Sequence, residues 1–343
     1  MAIFHISSPH LDRWIFRQTP HNDGVWHEHT FKLEDEGETA NWLVVYDRHE
    51  KPLVTRVPKE RRILFVTEPP EVFSIPKSYL GQFGTVCSFY SIPEVGAALY
   101  LSQTALPWFY GVKVGGGTEP EVVLEWRDLA QADGNKERDL EITAICSKKT
   151  LTKNQIRRLR FLEVLKDRLG DRLKIYGRGF EQLDDKSEVI ARSRYHLALE
   201  NSFHPHYWSE KLADPILGGA FPIYAGGKHA TDDFDKRGIL DIDISTPKRA
   251  VENVVRFLDE KQGDAPEAKA AQKHNKTLLM NKYNFFALCS QIAAERGNEM
   301  LPSLGKSVEI IWPDKTLRQK IMPSHKKLKS LLWKASVHLF ERG

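Results

Sequence analysis

Between Leu199 and Lys211 the chain reads LENSFHPHYWSEK, which crowds two glutamates, an asparagine, a tyrosine and a lysine between two apolar runs. A strand–helix–strand unit needs the apolar runs and the turns, but not this concentration of polar groups. Ser209 stands just before EKLADPIL, where a serine N-cap opens a helix. The free N–H groups and positive potential at such a helix start suit a phosphate. Lys211 falls in the first turn, where the macrodipole disfavours a cation unless an anion lies against it. Glu210 is suited to accept hydrogen bonds from ribose or sugar hydroxyls. The plain alternative is an ordinary Glu–Lys pair on a surface helix.

Strands must hold these groups at one edge. NWLVVYD (Asn41–Asp47) and RRILFVTE (Arg61–Glu68) are short apolar runs that read as buried parallel strands, with Asp47 and Glu68 at their carboxyl ends. SYLGQFGTVCSF predicts a short helix and a third strand, and KVGGGTEP a loop without the Lys-Ser/Thr ending of a P-loop. Apolar content collapses across Ala130–Asp139, which places a domain boundary there. A strand, LEITAICS, then precedes a basic helix with Ile156, Leu159, Leu162, Leu165 and Leu169 at helical spacing and Gly170 as its stop. LKIYGRG, YHLALEN and FPIYAGG are further strands. KSEVIARS, EKLADPILGG and about Lys248 to Lys261 are helices. Strand alternating with helix implies an α/β fold of two doubly wound, Rossmann-type domains, with ligands at the carboxyl ends of the strands. The expected division is residues 1–138, residues 139–305 and a tail, 306–343.

The 343 residues carry a formal charge of only +4, so no strong polyelectrolyte is implied as a partner. Lys315 to Phe340 nonetheless holds seven Lys or Arg and no Asp or Glu. There Leu328, Leu331, Leu332, Ala335 and Leu339 share a helical face, as in an interfacial anchor on an anionic membrane (residues 324–340) or a helix packed on the core. Charge confined to one segment argues against nucleic acid. Three scattered cysteines predict a reducing compartment, and MAIFHISSPHLDRW is not a signal peptide. The expectation is a cytoplasmic protein, peripheral at the inner membrane face.

LALENSFHPHYWSEKLADPILGGAFPIYAGG resembles the signature of glycosyltransferase family 10, the α-1,3/4-fucosyltransferases, in its bacterial form. Glu200, Asn201 and Ser202 match its first part, Tyr207, Glu210 and Lys211 its second, and Pro222, Ile223, Tyr224 and Gly226 its third. The resemblance implies a GT-B fold in which the C-terminal domain binds the nucleotide sugar, usually GDP-fucose. It also implies that Lys211 and an upstream arginine contact the diphosphate. Arg158, with Phe161 and Leu165, fits the arginine's RxxFxxxL setting, and Arg157 and Arg160 stand beside it. Glu200 is grouped with the donor-binding residues, and Asn201, Tyr207 and Glu210 would hold ribose and fucose.

Inverting transfer needs a base facing the donor across the cleft, hence from the first domain. The family carries a glutamate after an apolar strand there. Glu68 in ILFVTEPPEV fits, stiffened by Pro69 and Pro70, with Glu71 as a rival. Lys, Arg and a helix N-terminus do the work of a metal in such enzymes. DDFD (Asp232–Asp235) and DID (Asp241–Asp243) are therefore expected to serve turns and strand ends, and HEH (His27–His29), whose spacing fits no zinc-ligand set, is expected to bind no metal either. The implied reaction is metal-independent transfer of fucose from GDP-fucose to a glycan acceptor, in lipopolysaccharide, O-antigen or surface-glycan synthesis or in protein glycosylation. His206, Trp208 and Ser209 depart from the family pattern beside the donor pocket, which keeps open another nucleotide sugar. A sugar-nucleotide- or glycan-binding protein without activity is the other alternative.

Overall fold

The computed structural model describes residues 1–8, 11–33, 39–47, 52–93, 96–114, 120–132, 138–297 and 304–312. The basic tail from 313 onward, most of the glycine loop (115–119) and the centre of the predicted boundary (133–137) lie outside them. Apolar runs in the first hundred residues become β1 (Ile3–Ser7), β2 (Val25–Trp26), β3 (His29–Lys32), β4 (Trp42–Tyr46), β5 (Leu53–Thr55), β6 (Arg62–Phe65), β7 (Thr85–Ser88) and β8 (Ala98–Leu101), with a short helix, α1 (Lys77–Leu80), before β7. All but β5 form one sheet, ordered β2-β3-β1-β4-β6-β7-β8 and parallel except at β2. Val44, Tyr46, Ile63 and Phe65 point into one core, and Leu43, Val45, Leu64 and Val66 into another. Both faces being covered explains why these strands read as unbroken apolar runs.

A small antiparallel ribbon of β9 (Val112–Lys113) and β10 (Glu121–Val122) leads to α2 (Trp126–Gln131). The second sheet comprises β11 (Leu140–Ile145), β12 (Leu173–Tyr176), β13 (Ser193–Leu199), β14 (Phe221–Ala225) and β15 (Leu240–Asp241). Its order is β12-β11-β13-β14-β15, all parallel. Helix α3 (Lys153–Leu169) starts at a capping box, Thr152 with Gln155, and stops at Gly170, whose φ of 57° suits glycine. Next come α4 (Ser187–Ile190), α5 (Glu210–Gly218), α6 (Pro247–Asp259) and α7 (Pro266–Asn281). Helices α3 and α6 cover one face of this sheet, while α5 and α7 cover the other.

Packing crosses the expected boundary twice. Trp108, Tyr110 and Leu129, from the first segment, are buried among the α5 and α7 side chains of the second. Conversely α8 (Phe285–Gly297), from the second segment, buries Phe285, Phe286, Cys289 and Ile292 in the core of the first sheet. Asn284 makes that turn-back possible: its Nδ2 donates to Met280 O at 2.5 Å and its Oδ1 accepts from Ala287 N at 2.8 Å, joining the end of α7 to the start of α8. β16 (Val308–Ile310) then pairs antiparallel with β5, and Trp312 packs on Phe73 and Tyr79. No helix among the described residues is long and apolar enough to cross a membrane.

Candidate active site

The carboxyl ends of β6, β11 and β13 and the start of α5 meet at a cleft with two adjoining cavities. The first, about 250 Å³, lies over the second sheet and is walled by Arg158, Lys186, His196, Glu210 and Asp214. The second, about 280 Å³, opens between the two sheets, with Glu68, Pro69 and Val72 on one side and Gln155 and Tyr207 on the other. Asn201, Glu210 and Lys211 line both. The sequence-predicted residues Glu68, Arg158, Asn201, Tyr207, Glu210 and Lys211 therefore border one connected space.

Each is placed by its element. Arg158, on the inward face of α3, donates to Asn201 Oδ1 at 2.6 Å and to Ser147 O at 3.3 Å; its buried Nε has no hydrogen-bond partner among the described residues. Ser209 caps α5, its Oγ accepting from Lys211 N at 3.3 Å. Glu200 has another task. Fully buried, it accepts from Ser209 N at 2.8 Å and bonds Ser209 Oγ with both oxygens (2.9 and 2.8 Å), and it does not line either cavity. It positions the cap rather than presenting a carboxylate to the cleft. Gly226 and Gly227 permit this: a Cβ on Gly226 would run into Tyr224 Oη, and one on Gly227 into the carbonyl oxygens of His204 and Pro205. Glu68 is solvent-exposed just beyond β6, while Asp47, at the end of β4, is buried away from both cavities. The rival Glu71 turns to His204, 3.0 Å away.

Charges alternate through the site. Asp214 Oδ2 lies 2.7 Å from Lys186 Nζ, which is 3.6 Å from Glu210 Oε1; Glu210 Oε1 is 3.0 Å from Lys211 Nζ, which is 3.7 Å from Glu200 Oε2. Burial alone would raise the Glu210 pKa, but Lys211 and Lys186 outweigh it and hold the carboxylate at about 2. Glu200 and Asp214 are pushed up by burial, with Lys211 and Lys186 offsetting only part of it. Both lysines stay protonated, since Glu210 and Asp214 overcome their desolvation.

Lys186 and Asp214 were missed by the sequence reading. Asp214 was discoverable: it stands one turn after Glu210 on a helix face otherwise apolar, and a buried acid demands a cation. Nothing local shows that Lys186 meets it.

His196, on β13, forms the floor of the first cavity, its Nδ1 2.8 Å from Thr143 Oγ1. Burial, reinforced by Lys186, lowers its pKa from 6.5 to about 3, so it folds neutral but protonates readily once unfolded. A depressed histidine contributes stability above its unfolded pKa that is lost as pH falls toward the folded one. Unfolding free energy should therefore drop by up to ~1.4 kcal/mol per pH unit between about 6.5 and 3 on account of this residue. His196→Gln should flatten that slope in denaturant titrations at pH 4, 5 and 6; an unaltered slope would show that other groups carry it.

The acidic runs serve turns and strand ends. Asp232 pairs with Lys236 and His229, Asp233 accepts from Trp208 Nε1, Asp235 pairs with Arg237, and Asp243 caps Ser245. Among the described residues, no three His, Cys, Asp or Glu side chains are grouped as metal ligands.

Two largely parallel α/β sheets meeting at one cleft are the architecture of a GT-B protein, and the comparisons agree. The chain superposes on an α1,3-fucosyltransferase solved with GDP (TM-score 0.51, 14% identity, 88% of this chain and 91% of that one). It superposes similarly on an α1,3-fucosyltransferase solved with GDP-fucose (TM-score 0.50, 14% identity, 89% and 92%). The protein is a glycosyltransferase. Residues 135–304, just under half of the chain, match the profile described as glycosyltransferase family 10 (fucosyltransferase) C-term.

Proposed function

We propose that the protein transfers fucose from GDP-fucose to a hydroxyl of a glycan acceptor, with inversion and without a metal ion. The observation that carries this reading is the convergence of Lys211, Arg158 and the α5 start on one wall while Glu68 faces them from the other. In this reading residues 139–305 hold the donor and residues 1–138 read the acceptor. Lys211 and the N–H groups of α5 receive the diphosphate and stabilise the charge that grows on it as the sugar leaves. Arg158 joins them, kept in place by Asn201. Asn201, Tyr207 and Glu210 meet ribose and sugar hydroxyls; Glu210, held ionised by two lysines, acts only as an acceptor there. Glu68 takes the proton of the attacking hydroxyl. The resemblance to bacterial members and the basic composition of residues 324–340 support a role at the inner face of a membrane, building lipopolysaccharide or a related surface glycan.

The second reading keeps the site and changes the sugar, because His206, Trp208 and Ser209 stand where the family pattern has other residues. Calorimetric titration with GDP-fucose, GDP-mannose, UDP-galactose and CMP-sialic acid, EDTA present throughout, separates the two. Selective binding of GDP-fucose supports the first, preference for another donor the second, and no binding removes both. In the same titration Lys211→Ala should weaken donor binding roughly 10- to 100-fold, the value of a charged hydrogen bond. Unchanged affinity in a folded variant takes Lys211 out of the diphosphate site.

A further inference from the structure

His204 belongs to the loop between β13 and α5 but reaches across the cleft to the other half of the protein. Its backbone is fixed on its own side. The His204 carbonyl accepts from Tyr207 N at 3.1 Å, Pro205 O accepts from His229 N at 2.7 Å, and Gly227 lies against both carbonyls. Its imidazole is fixed on the far side. The Nε2 atom lies 3.0 Å from Glu71 Oε2, and the ring packs 5.6 Å from Phe89 and 5.5 Å from Tyr90, both just beyond β7. Phe89 also packs on Tyr207, 4.7 Å between centroids.

Glu71 is three residues from Glu68 in a tight turn, where Val72 N and Phe73 N both donate to Pro69 O (2.9 and 3.0 Å). A lone surface ion pair contributes little. This one differs because one partner packs against a pair of touching aromatic rings, Phe89 and Tyr90, and the other stands on the turn that carries the candidate base. We infer that His204 is a positioning residue for transfer: its contact with Glu71 sets the height of the Glu68 turn over the donor residues. The inference rests on Glu68 acting as the base.

A displacement of about 1 Å at a reacting group costs on the order of 10²-fold in rate. In the full-length enzyme His204→Ala is expected to lower kcat about 10- to 100-fold with donor affinity within about twofold of wild type. Glu71→Ala should give the same fall, and the double variant no more than either single one. His204→Gln, which retains a donor of similar reach, should recover most of the rate. Hydrogen exchange at the Val72 and Phe73 amides should quicken in His204→Ala and Glu71→Ala and return toward wild type in His204→Gln.

Faster exchange with an unchanged kcat overturns the positioning role. So does a parallel loss of donor affinity, an additive double variant, or unaltered exchange. If the wild-type enzyme proves to use a different nucleotide sugar, kcat is compared with that donor, so the contact and the donor assignment fail separately.

Discussion

Glu68→Gln is expected to lower transfer by about 10²- to 10⁴-fold while leaving donor affinity nearly unaltered. Glutamine keeps the size and hydrogen-bonding reach of the side chain but cannot accept the proton of an attacking hydroxyl. The separation of effects follows from the geometry. Glu68 stands on the first-sheet wall of the 280 Å³ cavity; of the cations assigned to the diphosphate, Lys211 lines the other side of it and Arg158 lines the adjoining cavity. Its exposure is what a base serving an external acceptor requires, in contrast to the buried Asp47. Measurement of kcat beside calorimetric donor binding decides the matter. If donor affinity falls as far as the rate, Glu68 is a donor ligand and the base lies elsewhere.

Lys186→Met should destabilise the protein by about 3–5 kcal/mol, because it strands buried acids without their cation. Asp214 is 1% exposed, and Lys186 is its closest ion-pair partner, at 2.7 Å. Its other oxygen accepts from Phe109 N and Tyr110 N at 2.8 and 3.0 Å, so it cannot leave without opening the connection between the halves. Protonating Asp214 relieves the cost in part, as its burial already favours the neutral form. Adding Asp214→Asn to Lys186→Met should therefore restore part of the stability, since the amide oxygen still accepts from those N–H groups. Urea unfolding of the three proteins tests the account; a loss below about 1 kcal/mol for Lys186→Met would show that the buried charge is compensated by another route.

How far the sequence could be read depended on whether a residue's partner was near in the chain. The strands around the cleft were legible because parallel sheets covered on both faces leave long apolar runs, as in Trp42–Tyr46 and Phe221–Ala225. The α5 cap was legible because Ser209 and its helix are adjacent. Glu200 is grouped with the donor-binding residues through the signature it shares with Asn201 and Ser202. That both its oxygens turn to Ser209 depends on a chain reversal that spacing does not reveal. Lys186 with Asp214, and His204 with Glu71, are 28 and 133 residues apart, and only the folded chain brings them together. Helix α8 was hidden differently: FFALCSQIAA is apolar around most of its circumference, and its burial in the first core cannot be inferred from its position after α7.

The chain passes between the halves twice, near Trp108–Gly111 and again near Asn284. At the first passage the backbone is gripped from both sides. Arg17 donates to the carbonyls of Tyr110 and Leu124, and Gln18 Oε1 accepts from Trp108 N, while Asp214 and Asp185 accept the amides of Phe109, Tyr110 and Gly111 from the second half. Two such attachments define a line, as a pair of hinges does on a door. Sliding of one half against the other is opposed there, and any opening about that line has to break the His204–Glu71 and Phe89–Tyr207 contacts across the cleft.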